Sequence, residues 1–226
     1  MENMIICSHN SMTYLPLKNW WLKPLNWIAR CQKKDIIDQL KSGVGMIDLR
    51  VSLNKNYHWI FKHGLIRYNP AKEKTSDKFS SILSYDDGRN RLLQYDKYCK
   101  YDDDLYYYMD LLKKYLGGKH IYVRIILEST RRGYHDFDKS MFRMLCKSLE
   151  REYKDFTFVG GNYKKTWEKV YEFKDENGYE WEFDQFVSSM QKCSIFERIF
   201  PWLYAKRHNK ENMAKMTKKF NAFDFI

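Results

Sequence analysis

Cys7-Ser8-His9-Asn10-Ser11-Met12-Thr13, then Val44-Gly45-Met46-Ile47-Asp48-Leu49-Arg50-Val51, then Phe61-Lys62-His63-Gly64 follow one another in the N-terminal part of the chain. In each, an apolar run meets side chains that carry charge or acid–base chemistry. Met4 to Cys7 reads as a strand delivering His9, and Tyr57 to Phe61 as one delivering His63. Between them, Val44 to Val51 reads as a buried strand. Strand side chains alternate, so Asp48 and Arg50 share a face and point into the same mouth. Parallel α/β barrels collect their chemistry at the carboxyl ends of their strands. Two imidazoles there titrate near neutral pH and serve as base and acid, while a guanidinium supplies fixed charge for a phosphate. In outline, this is a site that cleaves phosphodiesters.

Outward from that stretch, helical and strand patterns alternate. Asp35 to Lys41 puts Ile36, Ile37 and Leu40 at helical spacing, with Gly43 as the cap. Ala71 to Lys100 reads as a long rim segment with one short helix at Phe79 to Leu83. A helix over Asp103 to Leu116, stopped by Gly117-Gly118, precedes a strand from His120 to Leu127 that ends at Glu128. A helix over Asp136 to Tyr153 precedes a strand over Phe156 to Val159. Tyr171 to Phe183 reads as a hairpin outside the barrel, followed by two short helices around Pro201 and a helix over Lys210 to Lys218. Phe220 to Ile226 is expected to close the sheet. The alternation argues for parallel βα units. The expected fold is α/β, a compact or distorted TIM-type (β/α) barrel, in a single domain over residues 1–226 with no internal repeat.

Composition narrows the partners. With 40 Lys and Arg against 29 Asp and Glu, a formal net charge of +11 favours anionic partners such as acidic phospholipid or a phosphorylated solute. Five cysteines without a C-x-x-C pair read as reduced thiols. Nothing ahead of His9 reads as a signal peptide, and no apolar run is long enough to span a bilayer. A cytoplasmic protein, able to sit peripherally at a membrane, is expected. Trp20, Trp21 and Trp27 interleave with Lys18 and Lys23. Such rings lie at a membrane interface with lysines meeting headgroups, or pack under the rim as core; the sequence leaves both open.

The same residues carry a family resemblance. Ser8-His9-Asn10-Ser11-Met12-Thr13 resembles the first motif of the phosphatidylinositol-specific phospholipase C X-domain family, the PLC-like phosphodiesterases. Gly43 to Val51 resembles the second motif, His63-Gly64 the third, Ile125-Ile126-Leu127-Glu128 the fourth-strand motif, and Ala222-Phe223-Asp224-Phe225-Ile226 the closing strand. The pieces keep the family's order over nearly the whole chain. The resemblance implies His9 as general base, His63 as general acid and Asp224 as the carboxylate holding His9 from across the barrel. Arg50 stands where calcium-dependent members carry a metal-binding acid, which is the pattern of the bacterial, metal-independent branch. Asn10 departs from that branch, whose members carry Asp there.

No cofactor is therefore expected. The alternative is Ca²⁺ on Asn10, Asp48 and Glu128, which Arg50 would repel. Asn10, Glu128, Lys62 and Arg131 are candidates to bind substrate, and Lys165 is a further basic candidate. Glu128 has an alternative reading as ion-pair partner of Arg124 or Arg131, and Asp48 as that of Arg50. The expected substrate is an anionic phospholipid or another phosphodiester, with no specific nucleic acid. Two other readings remain open: a glycerophosphodiester phosphodiesterase-like enzyme, whose usual Glu-x-Asp metal pair is missing, and a basic membrane- or nucleic-acid-binding module on a barrel whose catalysis has decayed.

Overall fold

The computed structural model describes residues 4–74, 76, 78, 103–128, 136–159 and 183–226. Strand β1 (Ile5–Ser8) is followed by a 3-10 turn (Trp20–Leu22), helix α1 (Lys23–Ala29) and helix α2 (Ile36–Lys41). Strands β2 (Met46–Leu53), β3 (Trp59–His63) and β4 (Ile66–Arg67) come next, then the short helix α3 (Ala71–Lys74) and helix α4 (Asp104–Leu116). Strand β5 (Ile121–Leu127), helix α5 (Asp136–Glu152) and strand β6 (Phe156–Val159) continue the alternation. Strand β7 (Phe183–Phe186), helices α6 (Ile195–Ile199) and α7 (Pro201–Ala214) and strand β8 (Phe220–Phe223) complete it.

Six strands run parallel in the order β6-β5-β2-β1-β8-β7, so their carboxyl ends share one side. Strands β3 and β4 form an antiparallel hairpin at the end of β2. Among the described residues β6 and β7 do not pair, and the sheet is a curled half-barrel, a distorted form of the TIM-type barrel the sequence suggests. Strand β2 lies at the centre, with β5 along one edge and β1 then β3 along the other. Its Met46, Ile47, Leu49 and Val51 are fully buried, as a strand covered on both faces requires.

Helix boundaries follow local chemistry. Asp35 accepts from the backbone N–H groups of Ile37 and Asp38 and so starts α2. Asp103 does the same for Leu105 and Tyr106 at the start of α4, and its other oxygen accepts from the Trp59 N–H at 2.7 Å. One carboxylate thereby ties the β3 hairpin to α4. Burial pushes that carboxyl up to about 6 against the backbone donors that hold it down. Gly117, with φ of 55°, ends α4 in the left-handed conformation that a Cβ disfavours. Leu105, Met109 and Leu112 of α4, together with Leu145 and Leu149 of α5, join the apolar core under the sheet.

Several elements depart from the sequence reading. The segment ending at His63 is an antiparallel hairpin strand, because the links from Leu53 to Trp59 and from His63 to Ile66 are both too short for a crossover. The predicted helix at Phe79 to Leu83 lies outside the described residues, as does the predicted hairpin up to its last residue, Phe183, which opens the parallel strand β7. Two helices flank Pro201 as expected, but the second is long. Pro201 sits at the first turn of α7, where its missing N–H costs nothing, and the helix runs on to Ala214, past the start expected for a separate one at Lys210. Strand β8 is the immediate neighbour of β1, which puts Asp224 beside His9 rather than across the barrel. Among the described residues no helix is long and apolar enough to cross a membrane.

Candidate active site

A cleft of about 630 Å³ opens at the carboxyl ends of the parallel strands, and His9, Arg50, His63, Glu128 and Asp224 line it. His9 follows directly on β1, and its backbone N–H is held by the Phe223 carbonyl at the end of β8. That register brings the Asp224 carboxylate to 2.7 Å from His9 Nδ1. Both groups are buried, at 6% and 1% exposure. A carboxylate accepts only, so Nδ1 carries the ring proton and Nε2 is left as the acceptor. Arg50 donates to that nitrogen from Nη2 at 3.0 Å.

Arg50 is pinned by acids on two sides. Its Nη1 donates to Glu128 Oε1 at 3.2 Å, and its Nε lies 3.6 Å from Asp48 Oδ2. Burial would lower its pKa, but Asp48 and Glu128 raise it, so the guanidinium is a permanent cation in the cleft. Glu128 also accepts from the Gly64 N–H at 3.2 Å, which fixes the hairpin turn after His63. His63 donates from Nδ1 to the Ala29 carbonyl at 2.9 Å, leaving its Nε2 toward His9. The two imidazoles are bridged by one amide: Asn10 Nδ2 is 3.4 Å from each Nε2. Burial first, then the Arg50 charge, hold the His63 pKa below its usual value.

Asp48 does not reach the cleft; it lies beneath it at 1% exposure. The residue that decides its role is Arg124, on the strand paired alongside. Arg124 Nε and Nη2 donate to Asp48 Oδ1 and Oδ2 at 3.2 and 2.9 Å, a two-pronged ion pair 1% exposed on both sides. Burial would raise the Asp48 carboxyl, yet Arg124, Arg50 and His9 together hold it well below the carboxylate range. Asp48 Oδ2 also accepts from the Asn10 N–H at 3.1 Å, which stabilises Asn10 at φ of 47°. The partner of Glu128 is therefore Arg50, not Arg124. Lys62 is buried on β3 next to His63, where alternation turns it away, and it does not line the cleft. Arg131 and Lys165 lie outside the described residues.

Sequence reasoning passed over two buried side chains, Gln32 and Cys31, and gave a third, Arg124, a different partner. Arg124 carried a legible signal, since one charge in the apolar run Ile121–Leu127 requires a buried partner. Gln32 donates to the carbonyls of His9 and Phe223, both at 3.0 Å, and so clamps the ends of β1 and β8 together. Cys31 lines the cleft behind Asn10, whose Nδ2 approaches its sulfur at 3.6 Å. The donor set fits a hard cation poorly. Both oxygens of Asp48 are engaged by Arg124, and Glu128 is paired with Arg50, so the carboxylates a Ca²⁺ ion would need are already neutralised.

No protein-family model matches the sequence, and no curated protein matches it. Solved structures do match. Phosphatidylinositol-specific phospholipase C from Listeria monocytogenes superposes with a TM-score of 0.54 at 14% identity, over 99% of this chain and 88% of that one. The Staphylococcus aureus enzyme, in a structure on the modulation of its membrane binding, gives 0.52 at 15% identity over 99% and 86%. The chain has the fold of these phospholipases. At such identity the likeness establishes the fold alone, and the chemistry rests on the residues described above.

Proposed function

We propose that the protein is a metal-independent phosphodiesterase of the phosphatidylinositol phospholipase C type. The observation that carries this reading is the pair of imidazoles facing one another across the Asn10 amide, one of them bound at once to Asp224 and to Arg50. His9 Nε2 takes the proton of a substrate hydroxyl, whose oxygen attacks the neighbouring phosphorus. The bond from phosphorus to the leaving oxygen breaks, and that oxygen takes a proton from His63 Nε2. Arg50 exchanges His9 for the phosphoryl oxygens and offsets the charge that gathers there, the work a cation does in metal-dependent sites. Asp224 holds the ring in the productive tautomer and stabilises the imidazolium once formed. A hydroxyl on the substrate itself gives a cyclic phosphate, and water then opens it by the same groups in reverse.

A lipid substrate is supported by what surrounds the cleft. Trp20, Trp21 and Trp27 are 76%, 62% and 65% exposed, so the rings do not pack under the rim. Helix α1 contacts α6 and α7, which carry the exposed Ile195, Phe196 and Trp202. Ile28 and Ala29 of α1 line the cleft together with Arg198 of α6 and Pro201 of α7. An apolar collar around an active-site mouth suits a lipid surface, with Lys18 and Lys23 placed for acidic headgroups. Phosphorus NMR on phosphatidylinositol vesicles in EDTA, beside His9→Ala, tests the reading. A cyclic inositol phosphate signal from the wild type alone supports it. Turnover only after Ca²⁺ is added removes the metal-independent mechanism. No turnover in either condition removes phosphatidylinositol as the substrate and points to another diester or to a binding module without catalysis.

A further inference from the structure

We propose that His9, Cys31 and Asp224 form a site for a thiophilic divalent cation such as Zn²⁺, and that its occupation switches the cleft off. A ring nitrogen of His9, the Cys31 sulfur and an Asp224 oxygen all lie within 4.8 Å of one another. All three residues are buried, and all three line the cleft, so an ion arriving from solvent meets them without any opening of the fold. A tetrahedral zinc site places its ligand atoms roughly 3.5 Å apart, which follows from Zn–N and Zn–S bonds of about 2.0 and 2.3 Å. Closing the three donors on an ion therefore takes side-chain rotation, not backbone movement.

The backbone that carries them is anchored. The Cys31 N–H donates to Thr13 Oγ1 at 2.9 Å, and its carbonyl accepts from the Phe225 N–H at 2.7 Å. A fourth group stands unused beside the sulfur. Asn10 is 2% exposed, and its buried Oδ1 has no hydrogen-bond partner among the described residues, while its Nδ2 faces both Cys31 and His9. Half a turn about the terminal bond exchanges the two amide atoms and turns that oxygen to the ion.

Sulfur, imidazole and carboxylate together select Zn²⁺ or Cd²⁺ over Ca²⁺ and Mg²⁺. The charges balance: Cys31 loses its thiol proton to solvent, and thiolate plus carboxylate offset the ion's two charges. Arg50, whose Nη2 donates to His9 Nε2 at 3.0 Å, gives up that nitrogen to the ion, and its charge stays held between Asp48 and Glu128. The inhibitory half of the proposal rests on the phosphodiesterase reading, since the ion takes the ring and the carboxylate that the base needs. Binding itself does not.

The test is Cd²⁺ titration of the full chain, followed by thiolate-to-metal charge-transfer absorption, beside Cys31→Ser and Cys31→Ala. One equivalent with the band is expected in the wild type and none in either variant, with near-ultraviolet circular dichroism confirming that the variants fold. Zn²⁺ is expected to lower wild-type turnover at least tenfold and to leave Cys31→Ser unaffected. A band absent from the wild type, or one that persists in folded Cys31→Ala, overturns the site. The band is read without substrate, so a protein that turns over no phosphatidylinositol fails the enzymatic reading while still testing the metal site.

Discussion

With the Nδ1 proton held by Asp224, the lone pair that His9 offers to a substrate sits on Nε2. Asp224→Asn removes the charge that fixes this tautomer and stabilises the imidazolium. We expect kcat to fall by on the order of 10³-fold with little change in vesicle binding, measured by phosphorus NMR and by sedimentation. His63 has the opposite task and must arrive protonated. Its pKa in the empty cleft is lowered by burial and by Arg50, so kcat/KM falls as pH rises from a point below the ordinary histidine value of about 6.5. Bound phosphodiester brings a negative charge that counters Arg50, and kcat therefore persists to higher pH than kcat/KM. Asn10→Asp places a carboxylate 3.4 Å or so from His63 Nε2, and the fall in kcat/KM should move to higher pH. A profile unchanged in that variant would show that His63 is not the acid.

Asp48 belongs to the same scale, but its role is stability. Asp48→Asn leaves the buried Arg124 guanidinium without its carboxylate and takes one of two acids from half-buried Arg50, a loss of about 3–5 kcal/mol by urea unfolding at neutral pH. The folded pKa of Asp48 is depressed, so its contribution is complete above the unfolded value of about 3.9 and drains away as pH falls below it. The gap between wild type and variant should narrow over that acid range. The importance of Asp48 and its contact with Arg50 were legible from the strand; its shorter ion pair, with Arg124, was not. Arg124 meets it only because β5 lies beside β2 in register, Asp48 opposite Arg124, and sheet order is not written in local sequence.

At the scale of elements, the contact between β1 and β2 sets the distance between His9 and Arg50. Gly45 lies at that contact: a Cβ there would meet Ile5 Cγ2 at 2.9 Å, and its N–H donates to the Ile6 carbonyl. Gly45→Ala should cost about 1–3 kcal/mol, because β-branched Ile5 cannot rotate clear. Ile5→Ala in the same chain removes the obstructing methyl, so the double variant should lose less than the sum of the single losses, read from urea midpoints. Additive losses would mean that the clash is relieved elsewhere. Strand β2 could be read from its apolar run because burial on both faces leaves so few polar positions. The β3 hairpin and strand β7 could not. A strand of four or five residues looks the same whether it runs parallel or antiparallel, and only the chain around it decides.

At the scale of the molecule, the question is whether the apolar collar and the positive charge act together. Lys18, Lys23, Lys192 and Lys206 lie on the turn and helices that carry the exposed rings, or immediately before them, so one face offers aromatic anchors and cations at once. Withdrawing about 60 Å² of apolar surface from water per ring is worth about 1.5 kcal/mol, or roughly tenfold in partitioning. A lysine near an acidic bilayer adds about 1 kcal/mol, and salt screens that part alone. Trp20→Ala with Trp21→Ala should therefore lower binding to phosphatidylserine vesicles by roughly a hundredfold while its salt dependence stays as in the wild type. Lys18→Gln with Lys23→Gln should flatten the salt dependence and leave binding to neutral vesicles in place. Neither pair touches His9, Arg50 or His63, so turnover of a short-chain, monomeric substrate should be unchanged in both. If the tryptophan pair slows that soluble reaction as much as the vesicle reaction, the rings are shaping the cleft, and the membrane reading gives way to a structural one.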